Sequence, residues 1–349
     1  MKFKKNLKMK RKKNKVFIIA EAGINHNGSM QLAKKLIDKA VYAGANAIKF
    51  QTFKSDNVIS KYAKKLKYQQ EGNRDKESQL KMLKKSELSY SNFKTLFKYC
   101  KKKKIIFLST PKDLESAKFL NRLGVSMFKI GSGDILNHQL LRYVGSTNKH
   151  VILSTGMANL AEIKNSLRVL SNSKKRNISL LHCVSLYPTP LKLINLNTIK
   201  FLKKKFKINC GFSDHTLGDA AAPIAAAFGA NIIEKHFTLN KKLKGPDHKL
   251  SLEPKSFKNY VKKIRDVEAC LGFEDKVISK EESENIVRFR RGLVYLRTLK
   301  KNHILKKNDI GIKRPLLGLK PKDINLVIGK KLKKNVFEDY PIKLKDFHV

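Results

Sequence analysis

The chain has no tryptophan, only four cysteines, and 28 acidic residues against 76 lysines and arginines in 349 positions. Each shortage excludes something. Cys100, Cys183, Cys210 and Cys270 lie far apart with no Cys-x-x-Cys pair, so neither a zinc ribbon nor a disulfide framework is supported, and a reducing compartment is expected. No apolar run approaches the ~20 residues needed to cross a bilayer. Residues 1–15 (MKFKKNLKMKRKKNK) have a basic start but no apolar h-region or small-residue cleavage site. They read as a basic flexible leader and not as a secretory signal, which makes a cytoplasmic location the expectation. Hydrophobic residues, at 41%, suffice for a sizeable core and exclude wholesale disorder.

What is abundant is lysine. The formal net charge is +48, and of the 76 cations twelve are arginine and 64 lysine. Such a balance invites a nucleic-acid partner. Two features favour a lysine-biased composition instead. Only nine of the cations lie in the first fifteen residues, so the excess is spread along the chain. Arginine, the residue suited to bidentate base contacts, is scarce.

From Val16 to Gly272 short apolar runs alternate with segments of helical period. The runs are residues 16–20, 47–51, 105–109, 126–130, 151–155, 178–183, 208–213 and 231–236. Helices are expected between them, for instance in MQLAKKLIDKAVYAG, LSYSNFKTLFKYCKK, LESAKFLNRLG, LAEIKNSLRVL and GDAAAPIAAAFG. Eight strands each followed by a helix imply an α/β chain folded as a closed (β/α)8 TIM barrel. An open doubly wound sheet would have fewer strands, and no Gly-x-Gly-x-x-Gly follows the first one. The polar stretch 52–85 reads as an extended loop at the substrate end. Residues 273–291 are charged and read as a linker. From 292 to 349 short alternating segments (GLVYLRTL, INLVIGKKL, YPIKLKDF) predict a small β-rich domain.

Active sites of such barrels lie at the carboxyl ends of the strands. Polar groups fall there on every strand: Glu21, Asn25 and His26; Lys49 and Gln51; Ser109 and Thr110; Lys129, Ser132 and Asp134; Ser154 and Thr155; His182, Ser185 and Tyr187; Ser213, Asp214 and His215; Glu234 and His236. That pattern points to an enzyme. Lys49 and Lys129 sit in apolar runs, where lysine is seldom buried alone. With Ser132, Ser154 and Ser213 they suit a clamp for a phosphate or carboxylate; a Schiff-base lysine stays open. His215 and His236 end neighbouring strands and could share a divalent ion, although two histidines are also compatible with plain core positions.

The segment IIAEAGINHNGSMQLAKKLIDKAVYAGANAIKFQTFK resembles the opening of the sialic acid synthase family. The resemblance continues through FLSTP, FKIGSGD, VILSTGMANLAEI, LLHCVSLYPTP, GFSDHTLGDAAAPIAAAFGA and IIEKHFTLNKKLKGPDHKLSLEP. It resumes with KRP (313–315) and VIGKKLKKN, which resemble the family's small antifreeze-like (SAF) domain, and so spans about residues 16 to 346. It implies a nonulosonic acid synthase that condenses phosphoenolpyruvate with an N-acetylated six-carbon sugar and water. The acceptor would be N-acetylmannosamine or a 2,4-diacetamido-2,4,6-trideoxy-mannose; GPDH (245–248) and YPTP (187–190) resemble those branches more than pseudaminic acid synthases.

The resemblance also implies roles. Lys49, Lys129, Ser132, Ser154 and Ser213 would hold phosphoenolpyruvate. His215 and His236 would bind Mn2+ or Mg2+. Glu21, Gln51, Tyr187, Glu234 and Asp247 would contact the sugar, with Asn73 reaching in from the loop. Arg314 would reach the N-acetyl group in the partner subunit's site, which implies a homodimer with a swapped small domain. Asp134 and Ser185 stand where some members have Glu and Asn; they are placed with the sugar and the phosphoenolpyruvate contacts respectively. Glu21 and Glu234 are the candidate acid and base. The alternatives weighed against this synthase are a Schiff-base aldolase and a basic nucleic-acid-binding protein.

Overall fold

A computed structural model describes residues 15–70, 77–171, 177–272 and 275–348. The leader up to residue 14 and Asn73 lie outside the described residues. The chain divides into two compact units, residues 1–272 and 273–349.

The first unit is built on eight parallel strands: β1 (Phe17–Gly23), β2 (Ala47–Thr52), β3 (Ile106–Pro111), β4 (Met127–Ile130), β5 (His150–Ser154), β6 (Ile178–His182), β7 (Asn209–Asp214) and β8 (Ile232–His236). They follow the order β3-β2-β1-β8-β7-β6-β5-β4. β3 lies against β4, so the sheet curls into a near-closed TIM-like barrel.

Side chains of a strand alternate between faces, and this period organises the barrel. One set packs outward against the helices in the main core. The other points inward: Ile19, Ala47, Leu108, Ile152, Leu181 and Ile232 form a separate buried cluster, with Phe17 and Met127 packed against it. Such a plug makes the lower barrel a filled core and not a pore. Burying each large aliphatic side chain of that plug contributes roughly 1.5–3 kcal/mol. β7 places Gly211 at this level, where a Cβ would run into the Ile232 carbonyl oxygen.

The helices are α1 (Met30–Tyr42), α2 (Ser55–Val58), α3 (Gln79–Ser86), α4 (Tyr90–Lys102), α5 (Leu114–Leu123), α6 (His138–Ser146), α7 (Leu160–Leu170), α8 (Asn197–Phe206), α9 (Ala221–Ala227) and α10 (Pro254–Cys270). Their starts are chemically marked. The side chains of Ser29, Ser89, Asp113 and Asn137 accept a backbone N–H of the first turn. Asn159 and Glu162 form a reciprocal capping box. The expected loop over 52–85 contains α2 and α3. α8 has a narrow apolar stripe, with only Ile199 and Leu202 buried in a lysine-rich segment.

The second unit holds an antiparallel pair, β9 (Gly292–Tyr295) and β10 (Ile310–Lys313). Leu293, Tyr295, Leu305, Val327, Leu332 and Ile342 are among its core residues. The charged stretch expected as a linker is not extended: it contains the helix α11 (Lys280–Phe289). Ser279 caps it, Glu281 and Glu282 occupy its first turn and Arg288 its last, which suits the helix dipole. Leu316 N–H donates to the Val287 carbonyl at 2.9 Å, so the helix belongs to the small unit.

Candidate active site

Two residues beyond each inward apolar position the chain delivers a polar one. Ile19 leads to Glu21, Ala47 to Lys49, Leu108 to Thr110, Met127 to Lys129, Ile152 to Ser154, Leu181 to Cys183, Gly211 to Ser213 and Ile232 to Glu234. One further step gives Gly23, Gln51, Gly131, Gly156, Ser185, His215 and His236. All of these but Gly23 and Gly156 line a single cavity of about 570 Å³, together with Ser132, Tyr187 and Asp247. Asp134 is not in that lining; it lies half-buried on the turn after β4, where burial raises its carboxyl above the usual range and Lys112 opposes. Arg314 lies in the second unit.

The floor of the cavity is ionic. Lys49 Nζ lies 2.9 Å from Glu21 Oε2 and 3.6 Å from Glu234 Oε2, and donates to Thr110 Oγ1 at 3.2 Å. Lys129 Nζ lies 3.4 Å from Glu234 Oε1, which also accepts from the Ser213 hydroxyl at 3.1 Å. Burial penalises Lys49 as a cation, but Glu21 and Glu234 outweigh it and raise its pKa. Burial prevails at Lys129, whose pKa falls despite Glu234. For Glu234, burial is overcome by Lys129 and Lys49, which hold it at about 2. Burial raises Glu21 beyond what Lys49 can offset.

Next to the lysines is a group of hydroxyls. Ser132 Oγ accepts from the Gly156 N–H at 3.0 Å and lies 3.2 Å from Cys183 Sγ. Ser154 Oγ is buried without a hydrogen-bond partner among the described residues. A buried hydroxyl left unpaired is costly, and with Lys49 and Lys129 lining the same cavity it suits an anion.

His215 and His236 stand with ring centroids 5.7 Å apart. His215 Nδ1 donates to the Val184 carbonyl at 2.8 Å, since a carbonyl can only accept. Its Nε2 is therefore a lone-pair nitrogen. Burial lowers the His215 pKa to about 4 and that of His236 well below its ordinary value, so both rings are neutral. His236 Nδ1 is buried with no hydrogen-bond partner among the described residues, 3.9 Å from Asp247 Oδ2. Neutral imidazoles with available lone pairs are what a divalent ion requires. Among the described residues no group of three or more His, Cys, Asp or Glu is placed to hold a metal ion by itself, so the fit is to an ion with two protein ligands, completed by water or substrate oxygens. Burial, then the charge of Glu21, raises Asp247 to about 7.

The mouth is organic in character. Tyr187 stacks on Tyr68 with ring centroids 4.9 Å apart and packs at a tilt against His215 at 4.3 Å. Tyr68, Gln69 and Gln79 line the cavity from the segment read as a loop, and Lys112 lines it from just beyond β3. Sequence reasoning passed over Cys183, Lys112 and these three. Cys183 was visible in principle, two residues past Leu181; Lys112 directly follows a strand end; nothing local marked Tyr68, Gln69 or Gln79.

An α/β barrel whose strand ends gather paired lysines, carboxylates and neutral imidazoles in one cavity has the build of a barrel enzyme. Residues 36–276 match the NeuB family and residues 290–348 the SAF domain. The chain is 46% identical to the N,N'-diacetyllegionaminic acid synthase of Campylobacter jejuni, over 94% of this chain and 99% of that protein. It is 40% identical to the protein of the same name from Legionella pneumophila, over 92% and 91%. A solved N-acetylneuraminic acid (sialic acid) synthetase from Leptospira borgpetersenii, in complex with citrate, superposes with a TM-score of 0.70 at 37% identity, covering 78% of this chain and 90% of that one. The chain belongs to the NeuB family of sialic and legionaminic acid synthases.

Proposed function

We propose that this enzyme condenses phosphoenolpyruvate with 2,4-diacetamido-2,4,6-trideoxy-mannose and water, giving a nine-carbon 2-keto acid and phosphate. The observation that carries the reaction is the adjacency of an anion corner (Lys49, Lys129, Ser132, Ser154, Ser185, Ser213) and a pair of neutral imidazoles in one cavity. The acceptor rests on the names of the two legionaminate relatives; N-acetylmannosamine is the second candidate.

Lys49, Lys129 and the serine hydroxyls would hold the phosphate and carboxylate, fixing the enol carbon against the sugar's open-chain aldehyde and turning a bimolecular encounter into a positioned one. A divalent ion, Mn2+ or Mg2+, on His215 and His236 would supply Lewis acidity toward the aldehyde oxygen as negative charge develops. Glu21, whose burial favours its protonated form, can give a proton to that oxygen, while ionised Glu234 can accept one from the water that adds at carbon 2. Gln51, Tyr187 and Asp247 at the mouth would orient the sugar. Asn73 joins them in this reading, and Arg314 of a partner subunit completes the site in a homodimer. The setting is the cytoplasm, where phosphoenolpyruvate is available.

The test is direct. Purified protein is incubated with phosphoenolpyruvate, Mn2+ and each sugar in turn, and the product mass is read. A nine-carbon acid from the diacetamido sugar is expected; product from N-acetylmannosamine alone would reassign the acceptor. The lowered pKa of Lys129 favours one other reading, a Schiff-base aldolase. Borohydride in the presence of pyruvate would trap a covalent adduct on Lys129 in that case and nothing in ours.

A further inference from the structure

We propose that Asp214, Lys235, Thr216 and Tyr260 form a positioning device that sets the two imidazoles for catalysis; the inference rests on the reading above. Asp214 and Lys235 are direct cross-strand partners on β7 and β8. Each is flanked by site residues, Asp214 by Ser213 and His215, Lys235 by Glu234 and His236. Strand alternation therefore turns them away from the cavity whenever their neighbours face it, and neither lines it.

Behind the site the two side chains are almost wholly buried, 0% exposed for Asp214 and 1% for Lys235, with Lys235 Nζ 2.9 Å from Asp214 Oδ2. Further hydrogen bonds tie the pair to its surroundings. Lys235 Nζ donates to the Thr216 carbonyl at 2.6 Å. Asp214 Oδ1 accepts from the Thr216 N–H at 2.9 Å and from its hydroxyl at 2.7 Å. Tyr260 of α10 donates its hydroxyl to Asp214 Oδ2 at 3.1 Å. The residues before and after His215 are thus both tied to the residue before His236.

Two physical reasons make this a device and not only packing. Replacing a buried ion pair with well-fitting apolar residues often leaves stability unchanged or improved, and apolar residues such as Phe212 and Ile233 fill neighbouring helix-facing positions. Hydrogen bonds, unlike apolar contacts, specify direction. A network aimed at Thr216 fixes the exit of the chain after His215 and, through it, the spacing of the two rings.

The experiment replaces the pair by Asp214→Leu with Lys235→Met. The variant should melt within a few degrees of the parent and keep the KM for phosphoenolpyruvate within about threefold, while kcat falls about thirtyfold or more, the scale expected for sub-ångström to ångström misplacement. Ring resonances of His215 and His236 in 13C,15N-histidine-labelled protein should move, and those of His150 and His303 should not. Tyr260→Phe, which keeps the packing, should show a smaller fall in kcat with the same two resonances affected. A folded double variant with parental kcat and parental histidine spectra would overturn the proposal. Should the double variant fail to fold, Tyr260→Phe with parental kcat and spectra overturns it instead. The histidine spectra need no turnover, so an enzyme with a different reaction would fail the product assay while these resonances still reported on positioning.

Discussion

Gly156→Ala is a sharp probe of the anion corner, because it adds one methyl group and removes none of the residues assigned there. Gly156 follows Thr155 at the end of β5 and has no left-handed backbone, so alanine fits its conformation. The added Cβ would overlap Ser185 Oγ outright and stand 2.9 Å from Ser132 Oγ and 3.0 Å from Cys183 Sγ. All three neighbours are ends of short side chains that can rotate away, and alanine lowers the entropy of the unfolded chain by about 0.4–1 kcal/mol. The melting temperature should therefore change by only a few degrees. Function should change much more. Rotating Ser185, Ser132 or both withdraws hydrogen bonds to a charged ligand, each contributing about 1.5–3 kcal/mol, or roughly 10- to 150-fold in affinity. Titration calorimetry with phosphoenolpyruvate on parent and variant, beside thermal melts, reads both effects. Parental affinity in a folded variant would show that these hydroxyls do not hold the anion.

Other outcomes follow from the same geometry. Chelator, His215→Ala and His236→Ala should each abolish turnover without unfolding the chain; full activity in metal-free protein would remove the ion from the reading. Phosphoenolpyruvate carrying oxygen-18 in the bridging position should deliver the label to phosphate, whereas label retained in the sugar acid would mean attack at phosphorus. In the small domain, burial would raise the Asp309 pKa, but hydrogen bonds from His303, the Lys306 N–H and Arg297 prevail and hold it at about 2. A depressed carboxylate stabilises the fold above its unfolded pKa of ~3.9, and that contribution, on the order of 2 kcal/mol, is lost as pH falls toward 2. The stability gap between parent and Asp309→Asn should therefore shrink by about half between pH 5 and pH 3 in urea titrations, and a constant gap would refute it. Mixing Arg314→Ala with His215→Ala under subunit exchange should restore activity if the arginine serves the partner's site, since one site of the mixed dimer then carries neither defect; no recovery despite demonstrated exchange would place Arg314 elsewhere.

Much of this molecule is readable in one dimension, for a definite reason. Alternation along a strand is local, so the eight apolar runs reveal eight strands, and polar residues in or just after them such as Glu21, Lys49, Lys129, Ser154, Ser213 and Glu234 mark the end at which chemistry gathers without reference to any contact. The composition change after Gly272 is local for the same reason. The second unit was harder. Its helix, Lys280–Phe289, was hidden by charge density and surfaces only as a capped segment hydrogen-bonded to Leu316.

Tertiary structure decided what depends on distance between remote residues. It brings Glu21 and Lys49 within 2.9 Å and sets Glu234 between two lysines, and from these contacts and burial come the opposite shifts of two carboxylates that look alike in the chain. It makes the imidazoles of His215 and His236 neutral neighbours, and it brings Tyr68, Gln69 and Gln79 over the mouth from a stretch whose sequence shows only polarity. It also leaves Asp134 out of the cavity although that residue follows a strand end like the others. Identity and spacing are written along the chain; charge state and proximity belong to the packed barrel, because desolvation and Coulomb forces act through space and not along the sequence.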